Sequence, residues 1–305
     1  MAKKRNCLKN EKDKKEIMIL IADCGSTKID WCLIDGSNST PVHRFQTVGM
    51  NAVMLTCDEM KQRMESEAAP CLKDWSAKID RVYFYGAGCI SPEVCGNVAE
   101  ALAVVAPKAK IEVHTDLLAA ARALCGHHSG IACIMGTGSN SCYYDGEKIV
   151  ENVSPLGFIL GDEGSGAVLG KLLVGDVLKH QLPEDLCEKF LRQYKLDRLE
   201  IINRVYRQPQ PNRFLASLSP FLAENLDRKE VRMLVRKAFD AFFQRNVAWY
   251  GKCRQLESSK VHFVGSIAYY YKALLAEAAE AAGFEMGTVL KSPMDGLIAY
   301  HTEKI

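Results

Sequence analysis

The sequence predicts an α/β fold of two similar halves, each a mixed sheet covered by helices, with a cleft between them. Three observations carry this. The apolar runs Ile17–Thr27 (IMILIADCGST) and Ile131–Ser141 (IACIMGTGSNS) both read as buried strands that break abruptly into Gly/Ser/Thr turns. Each turn is followed by a β-like segment and an Asp-Gly hairpin signal, Asp35-Gly36 in the first copy and Asp145-Gly146 in the second. The first half then runs β-β-β-α-β-α-β-α, an order that suits a mixed sheet better than a fully parallel one.

Taken in order, Ile17–Asp23 is the first strand and Lys28–Asp35 (KIDWCLID) alternates well enough for the second. Pro41–Thr47 forms a third, antiparallel strand running into Gly49-Met50-Asn51. Cys57–Ala69 carries its charges on one face and reads as a helix. Ile79–Tyr85 is an apolar strand ending in Gly86-Ala87-Gly88, and Pro92 starts a helix that stops at Pro107. Ile111–His114 is a short strand, after which Asp116 opens a strong helix, DLLAAARAL. The second half restarts at Ile131. The glycine-rich run Leu156–Gly170 leads into a helix, and Pro183 to about Leu256 is nearly all helical in pattern. Val261–Val264 is a strand entering Gly265-Ser266 and a long helix to Ala282, and a terminal helix (DGLIAYH) follows Ser292-Pro293. No low-complexity linker separates the halves, so they are expected to share a broad interface. The division expected is a tail at 1–16, one domain at 17–118, and a second at 119–305 with a helical insertion at about 183–256.

Composition bounds the function. The chain has 305 residues, 48% hydrophobic and 25% charged, with a net charge of +2, which gives no global field for nucleic acid or an anionic membrane. No apolar run approaches the roughly 18 residues needed to span a bilayer. The polar, lysine-rich first 16 residues lack the apolar stretch of a secretory signal and read as a solvated tail, with Met18 as a second potential start. The 12 cysteines include no CxxC pair, and several, such as Cys32, Cys133 and Cys142, sit in apolar patterns as small hydrophobes. These features together fit a cytoplasmic protein with reduced thiols and no zinc site.

A P-loop is absent, since no GxxxxGK[ST] pattern occurs. Phosphate would instead be held between the two glycine turns, where the missing Cβ atoms let several N–H groups approach one anion. Either turn alone is as easily structural, but the matched pair in duplicated halves is stronger evidence.

The motifs Asp23-Cys24-Gly25-Ser26-Thr27-Lys28, Thr115-Asp116, Gly136-Thr137-Gly138-Ser139-Asn140, Gly161-Asp162-Glu163-Gly164-Ser165 and Val264-Gly265-Ser266 resemble, in this order, those of N-acetylglucosamine kinases. These belong to the BadF/BadG/BcrA/BcrD-type ATPases of the actin-like, sugar-kinase and heat-shock-chaperone superfamily. The resemblance runs from about Ile17 to Tyr300 and implies two actin-like (ribonuclease H-like) domains closing over ATP and a sugar. It implies that Asp23 holds Mg²⁺, directly or through water, which suits a cation that prefers one or two carboxylates plus phosphates and waters. It places Thr27, Thr137 and Gly138 on the β- and γ-phosphates, and Gly265 and Ser266 against the adenosine. Asn51, Asp116, Ser139, Asn140, Gly157 and Asp162 match the sugar-gripping positions, with Glu163 as a competitor for the role of Asp162. Asp116 is the implied general base. On the residues alone, Asp23 also reads as a turn aspartate, Gly265-Ser266 as an ordinary strand-to-helix turn, and Asp116 as a helix N-cap.

One departure bears on the substrate. Pro155-Leu156-Gly157 stands where animal N-acetylglucosamine kinases resemble GWG, so a stacking surface beside the sugar is lost. Glucosamine, N-acetylglucosamine and a muramic-acid relative all stay open. The leading expectation is an ATP- and Mg²⁺-dependent kinase acting on the 6-hydroxyl of an amino sugar, with neither nucleic acid nor membrane as partner and room for a homodimer. Two alternatives remain. One is an iron–sulfur electron-transfer activator, for which Cys89 and Cys95 are the candidate ligands. The other is a non-catalytic ATP- or sugar-binding regulator.

Overall fold

The computed structural model describes residues 17–25, 27–37, 39–252 and 260–303. The expected tail and Ser26 of the first glycine turn lie outside these residues. The first half contains β1 (Met18–Cys24), β2 (Lys28–Asp35), β3 (Thr40–Val48), α1 (Cys57–Arg63), α2 (Ala69–Leu72), β4 (Ile79–Gly86), α3 (Pro92–Leu102), β5 (Lys110–Thr115) and α4 (Asp116–Cys125). A π-helical segment at Met64–Ala68 joins α1 to α2. The second half begins with β6 (Gly130–Met135), β7 (Ser139–Tyr144), β8 (Ile149–Val153), α5 (Gly157–Leu160) and α6 (Gly166–Leu178). Then come α7 (Glu184–Tyr194), α8 (Arg198–Tyr206), α9 (Pro211–Ala216), α10 (Ser219–Glu224), α11 (Lys229–Phe242) and α12 (Ala248–Tyr250). The chain closes with β9 (Lys260–Val264), α13 (Ser266–Tyr270), α14 (Lys272–Ala281), β10 (Glu285–Leu290) and α15 (Met294–Thr302).

Two five-stranded sheets result, ordered β3-β2-β1-β4-β5 and β8-β7-β6-β9-β10. The orders are the same element for element. In each, an antiparallel three-strand meander is extended by parallel strands on the far side of its first strand. The internal duplication read from the two turns is therefore a duplication of topology. Sequence reading did not place β8 or β10. Both are edge strands with half-exposed patterns, and such strands lack the continuous apolar run that marks buried β1 and β6.

Packing explains where the cleft falls. One face of the first sheet, through Leu20, Ala22, Trp31 and Leu33, packs on Met60, Leu72, Val98 and Leu102. Its other face, through Ile19, Ile21, Cys32 and Ile34, packs on Ala119 of α4 and on Met294, Leu297 and Ile298 of α15. The second sheet buries Ile131, Cys133 and Met135 in the large helical core that includes α7 and α11. Its other face sets Ala132, Cys142 and Val264 against Leu117, Ala120, Ala121 and Leu124 of α4. Helix α4 is thus packed between the two sheets, with α15 beside it so closely that a Cβ on Gly296 would strike the Ala123 carbonyl. The expected domain boundary at 118/119 falls inside this shared helix. Helices α7 to α12 occupy the stretch read as a helical insertion.

Cys32, Cys133 and Cys142 are fully buried, as small hydrophobes in a core are. Cys89 is also buried, and Cys95 packs against the same core, so neither stands in an exposed loop as a subunit-bridging cluster requires. Among the described residues, no helix is long and apolar enough to cross a membrane.

Candidate active site

The two glycine turns lie at matching places, at the β1–β2 and β6–β7 hairpins, and both open into the same cavity. That cavity, of about 420 Å³, is lined by Asp23, Thr27, Asp116, Thr137, Gly138, Ser139 and Asn140, among others. A second, of about 440 Å³, adjoins it through Asp23 and Asp116 and adds Gly136, Gly265 and Ser266. Together they form one cleft with α4 at its base.

The second turn is built to present donors. The Gly136 N–H closes the turn on the Gly138 carbonyl (3.0 Å), and the first N–H groups of α6 satisfy the next acceptors, Gly166 to the Gly136 carbonyl (2.8 Å) and Ala167 to the Thr137 carbonyl (3.0 Å). In a trans peptide, C=O and N–H point opposite ways. With the Gly136 and Thr137 carbonyls aimed at α6, the Thr137 and Gly138 N–H groups aim away from it, on the side where these residues line the cleft. The positive end of the α6 dipole stands behind them. Such a nest suits a phosphate. Its geometry is braced by the GDEGS run: the Ser139 hydroxyl donates to the Glu163 carbonyl (2.8 Å), and the Ser139 N–H donates to the Asp162 carboxylate (3.4 Å). The two most specific sequence motifs are therefore one structural unit.

In the first turn, Gly25 N–H donates to the Lys28 carbonyl and Gly49 N–H to the Thr27 carbonyl, each at 3.0 Å. A Cβ on Gly49 would come within 2.5 Å of the Gly25 oxygen, so only glycine can clamp the turn from β3. Gly265 has φ +128° and lies against the Met135 carbonyl, which makes the β9–α13 turn a glycine site for steric reasons.

The acids set the electrostatics. Asp23 is the last residue but one of β1 and faces Asp30 directly across the β1–β2 register. Burial, helped by the Asp30 and Asp116 carboxylates and opposed by Lys28, pushes the Asp23 carboxyl up to about 7. Asp30 accepts from Lys28 Nζ (3.0 Å) and Gln46 Nε2 (2.6 Å). Burial also raises the Asp116 carboxyl, against the pull of the Leu117 N–H that donates to it at 2.9 Å. Asp116 is not the N-cap of α4. That role belongs to Thr115, whose Oγ1 accepts from the Leu118 N–H at 3.2 Å, so Asp116 occupies the first helical position beside the cavity.

Hard carboxylate oxygens beside a phosphate nest are the donor set for Mg²⁺. Asp23, with Asp30 and Asp116 near it, fits that ion. Among the described residues no group of three or more acids, histidines or cysteines is placed to hold a metal ion by itself.

Three of the expected site residues stand back from the cavity lining. Asn51 turns its Oδ1 onto the Val53 N–H (3.1 Å), beside Gly88 at the first-domain lip. Gly157 opens α5 with φ +72°, two positions after Pro155, which does line the cleft. Asp162 sits beneath Gly138 and Ser139, its carboxyl raised by burial. Its neighbour Glu163 is engaged elsewhere, paired with Arg245 and accepting from Asn246 Nδ2 (3.2 Å). Of the two acids, Asp162 is the one at the turn. Sequence reading passed over Asp30, the Lys28 side chain and Asn212, which also line the cleft. Strand alternation across a hairpin would have put Asp30 opposite Asp23. Nothing in the sequence marks Asn212, which reaches the cleft from the helical insertion.

No protein-family model and no curated protein matches the chain. Solved structures do. A Porphyromonas gingivalis protein named as a putative N-acetylglucosamine kinase is 49% identical with a TM-score of 0.89, over 94% of this chain and 99% of that one. A Chromobacterium violaceum protein of the same name is 17% identical with a TM-score of 0.72, again over 94% and 99%. A ROK hexokinase from Thermus thermophilus, 13% identical with a TM-score of 0.52 over 93% and 97%, shares the fold alone. Identity of 49% over nearly the whole length of both chains, on a fold of two duplicated actin-like domains, shows that this chain belongs to the N-acetylglucosamine kinase-like family of BadF/BadG/BcrA/BcrD-type ATPases.

Proposed function

We propose that the chain is an ATP- and Mg²⁺-dependent kinase that transfers the γ-phosphate of ATP to the 6-hydroxyl of an amino sugar, N-acetylglucosamine foremost. The observation that carries this reading is the convergence of both glycine turns, Asp23 and Asp116 on one cleft over an inter-domain helix. Its similarity to proteins named as sugar kinases supports the same class of reaction.

In this reading the sugar oxygen attacks the γ-phosphorus as the bond to the β,γ-bridging oxygen breaks. ADP departs with that oxygen, and the hydroxyl proton passes to Asp116. A buried carboxylate whose pKa lies above the usual range is a better proton acceptor than a solvated one. Thr27 on one side and the Thr137 and Gly138 N–H groups on the other hold the phosphates in line, so positioning and electrostatics carry most of the catalysis. Asp23, with Asp30 near it, would hold Mg²⁺, which would supply neutralisation of the phosphate charge. Gly265 and Ser266 face the adenosine. Ser139 and Asn140 line the sugar's side of the cleft, with Asn51, Gly157 and Asp162 set behind that lining and the Ser139 hydroxyl proton committed to bracing the turn.

The test is a panel of amino sugars incubated with Mg²⁺-ATP and the full chain, with mass spectrometry of the products. The expected result is a singly phosphorylated N-acetylglucosamine carrying phosphate on O6. ATP consumption without any phosphorylated sugar would refute the reading.

A further inference from the structure

Outside the cleft, a cavity of about 650 Å³ lies between α5, α6, α8 and α9. We propose that it is a binding site for a small amphipathic anion, an apolar body bearing a carboxylate or a phosphate, and that α5 couples its occupancy to the cleft.

The chemistry of the walls points to that class. Val174, Leu178, Ile201 and Val205 form an apolar floor, while Lys179 and Arg198 stand among the lining residues and no acid does. The side chains of Lys179 and Arg198 make no ion pair among the described residues. Cations over an apolar floor, without carboxylates, favour an anion with an apolar body over a sugar or a cation. The volume falls within the roughly 300–1,000 Å³ usual for small-molecule sites. At the mouth, Ile159 and Tyr206 are 74% and 77% exposed, apolar surface that such a body would cover.

Gly175 gives an independent sign. It lies in the interior of α6, where glycine weakens a helix relative to alanine. No positive φ and no close neighbour calls for it there: a Cβ at this position would meet nothing within 4 Å. What its missing side chain provides is space in the cavity it lines.

The coupling follows from one wall. Phe158 and Ile159 of α5 line the cavity, and Lys171 Nζ donates to the Phe158 carbonyl at 2.7 Å. The chain entering α5 passes through Pro155, which lines the cleft and whose carbonyl accepts from the Asp162 N–H at 2.9 Å. An occupant pressing on α5 therefore acts on a segment whose entry, at Pro155, lines the cleft and whose exit, at Asp162, is tied to Pro155 and to Ser139 of the second glycine turn. The coupling rests on the kinase reading; the binding does not.

The experiment is calorimetric titration of the full chain with decanoate and decyl phosphate, against decanol and decyltrimethylammonium. Decanoate or decyl phosphate should bind saturably, whichever is tighter identifying the head group, and decanol at least about tenfold more weakly, since a charged hydrogen bond is lost. Gly175→Leu, which fills open space, and the double variant Lys179→Gln/Arg198→Gln should each weaken binding about tenfold or more while melting stays cooperative. In the kinase assay, the bound anion should shift the sugar KM at least about twofold in the wild type and leave it unmoved in Gly175→Leu, as expected for a finite coupling free energy. Equal binding of decanol and decanoate, or wild-type binding by Gly175→Leu, would overturn the site. Binding without any change in sugar KM would overturn the coupling. Failure of the kinase reading would show as no turnover with any sugar, and the calorimetry would still decide the site.

Discussion

Thr115 and Asp116 divide two jobs at the start of α4: the threonine hydroxyl caps the helix through the Leu118 N–H, and the adjacent carboxylate faces the cleft. An aspartate at a helix start ordinarily invites the capping explanation. Here a neighbour meets that need, which leaves the Asp116 carboxylate available for chemistry.

Thr115→Ala should therefore lower stability by about 1 kcal/mol, the usual cost of losing a cap, while kcat changes by less than about threefold. Denaturant unfolding and steady-state kinetics on one preparation measure both. A loss of turnover as large as that of an Asp116 variant would mean that the two residues do not act separately.

The Asp23 carboxyl, held up at about 7 in the fold against an ordinary 3.8, makes the ligand-free protein sensitive to pH. Below about pH 4 the group is protonated folded and unfolded, and costs nothing. As pH rises to about 7 the unfolded chain ionises first, so stability falls, and above that it levels off. Asp23→Asn should remove this loss, so its gain over wild type is small near pH 4 and largest above pH 7, bounded by about 4 kcal/mol at roughly 1.4 kcal/mol per pKa unit. Mg²⁺-nucleotide must displace the same proton, so its affinity in the wild type should rise with pH up to about 7. Denaturation midpoints at several pH values decide this; parallel curves for wild type and variant contradict it.

The pairing of Glu163 with Arg245 and Asn246, and of Asp162 with the Ser139 N–H, separates two adjacent acids. Asp162→Ala should raise the sugar KM by about one to two decades, as for a lost buried acceptor worth roughly 1–3 kcal/mol, and the ATP KM by less, through the loosened turn. Glu163→Ala should instead act mainly on stability, by stranding Arg245 and Asn246. The reverse pattern would exchange the two roles.

Because the two turns belong to different sheets bridged by α4, ATP and sugar together should draw the halves closer. Solution scattering should give a smaller radius of gyration with both ligands than with neither. An unchanged profile at saturation speaks against closure.

Much of this was legible in the sequence because its signals were local and physically strict. A buried strand ending in glycines announces itself at Ile17–Gly25 and Ile131–Gly138, and its recurrence gave the duplication. The edge strands β8 and β10 were not legible, since a half-exposed strand borrows its stability from neighbours that the sequence does not display. The bracing of the GTGSN turn by GDEGS, the capping by Thr115, and the placing of Asp30 opposite Asp23 depend on register and on side-chain direction. A linear motif holds neither. Helix α15 shows the limit most clearly: Met294, Leu297 and Ile298 lie at the far end of the chain, yet they pack against β1 and β2.

The most direct test of the account is the turnover of Asp116→Asn with saturating Mg²⁺-ATP and N-acetylglucosamine. Asparagine keeps the shape of aspartate and leaves the Thr115 cap untouched, but it cannot take a proton from the sugar. The expected result is a folded protein with near-normal ATP binding and a kcat reduced by about two to four decades, the range for a positioned acid or base. A well-folded Asp116→Asn protein that turns over at nearly the wild-type rate would contradict it.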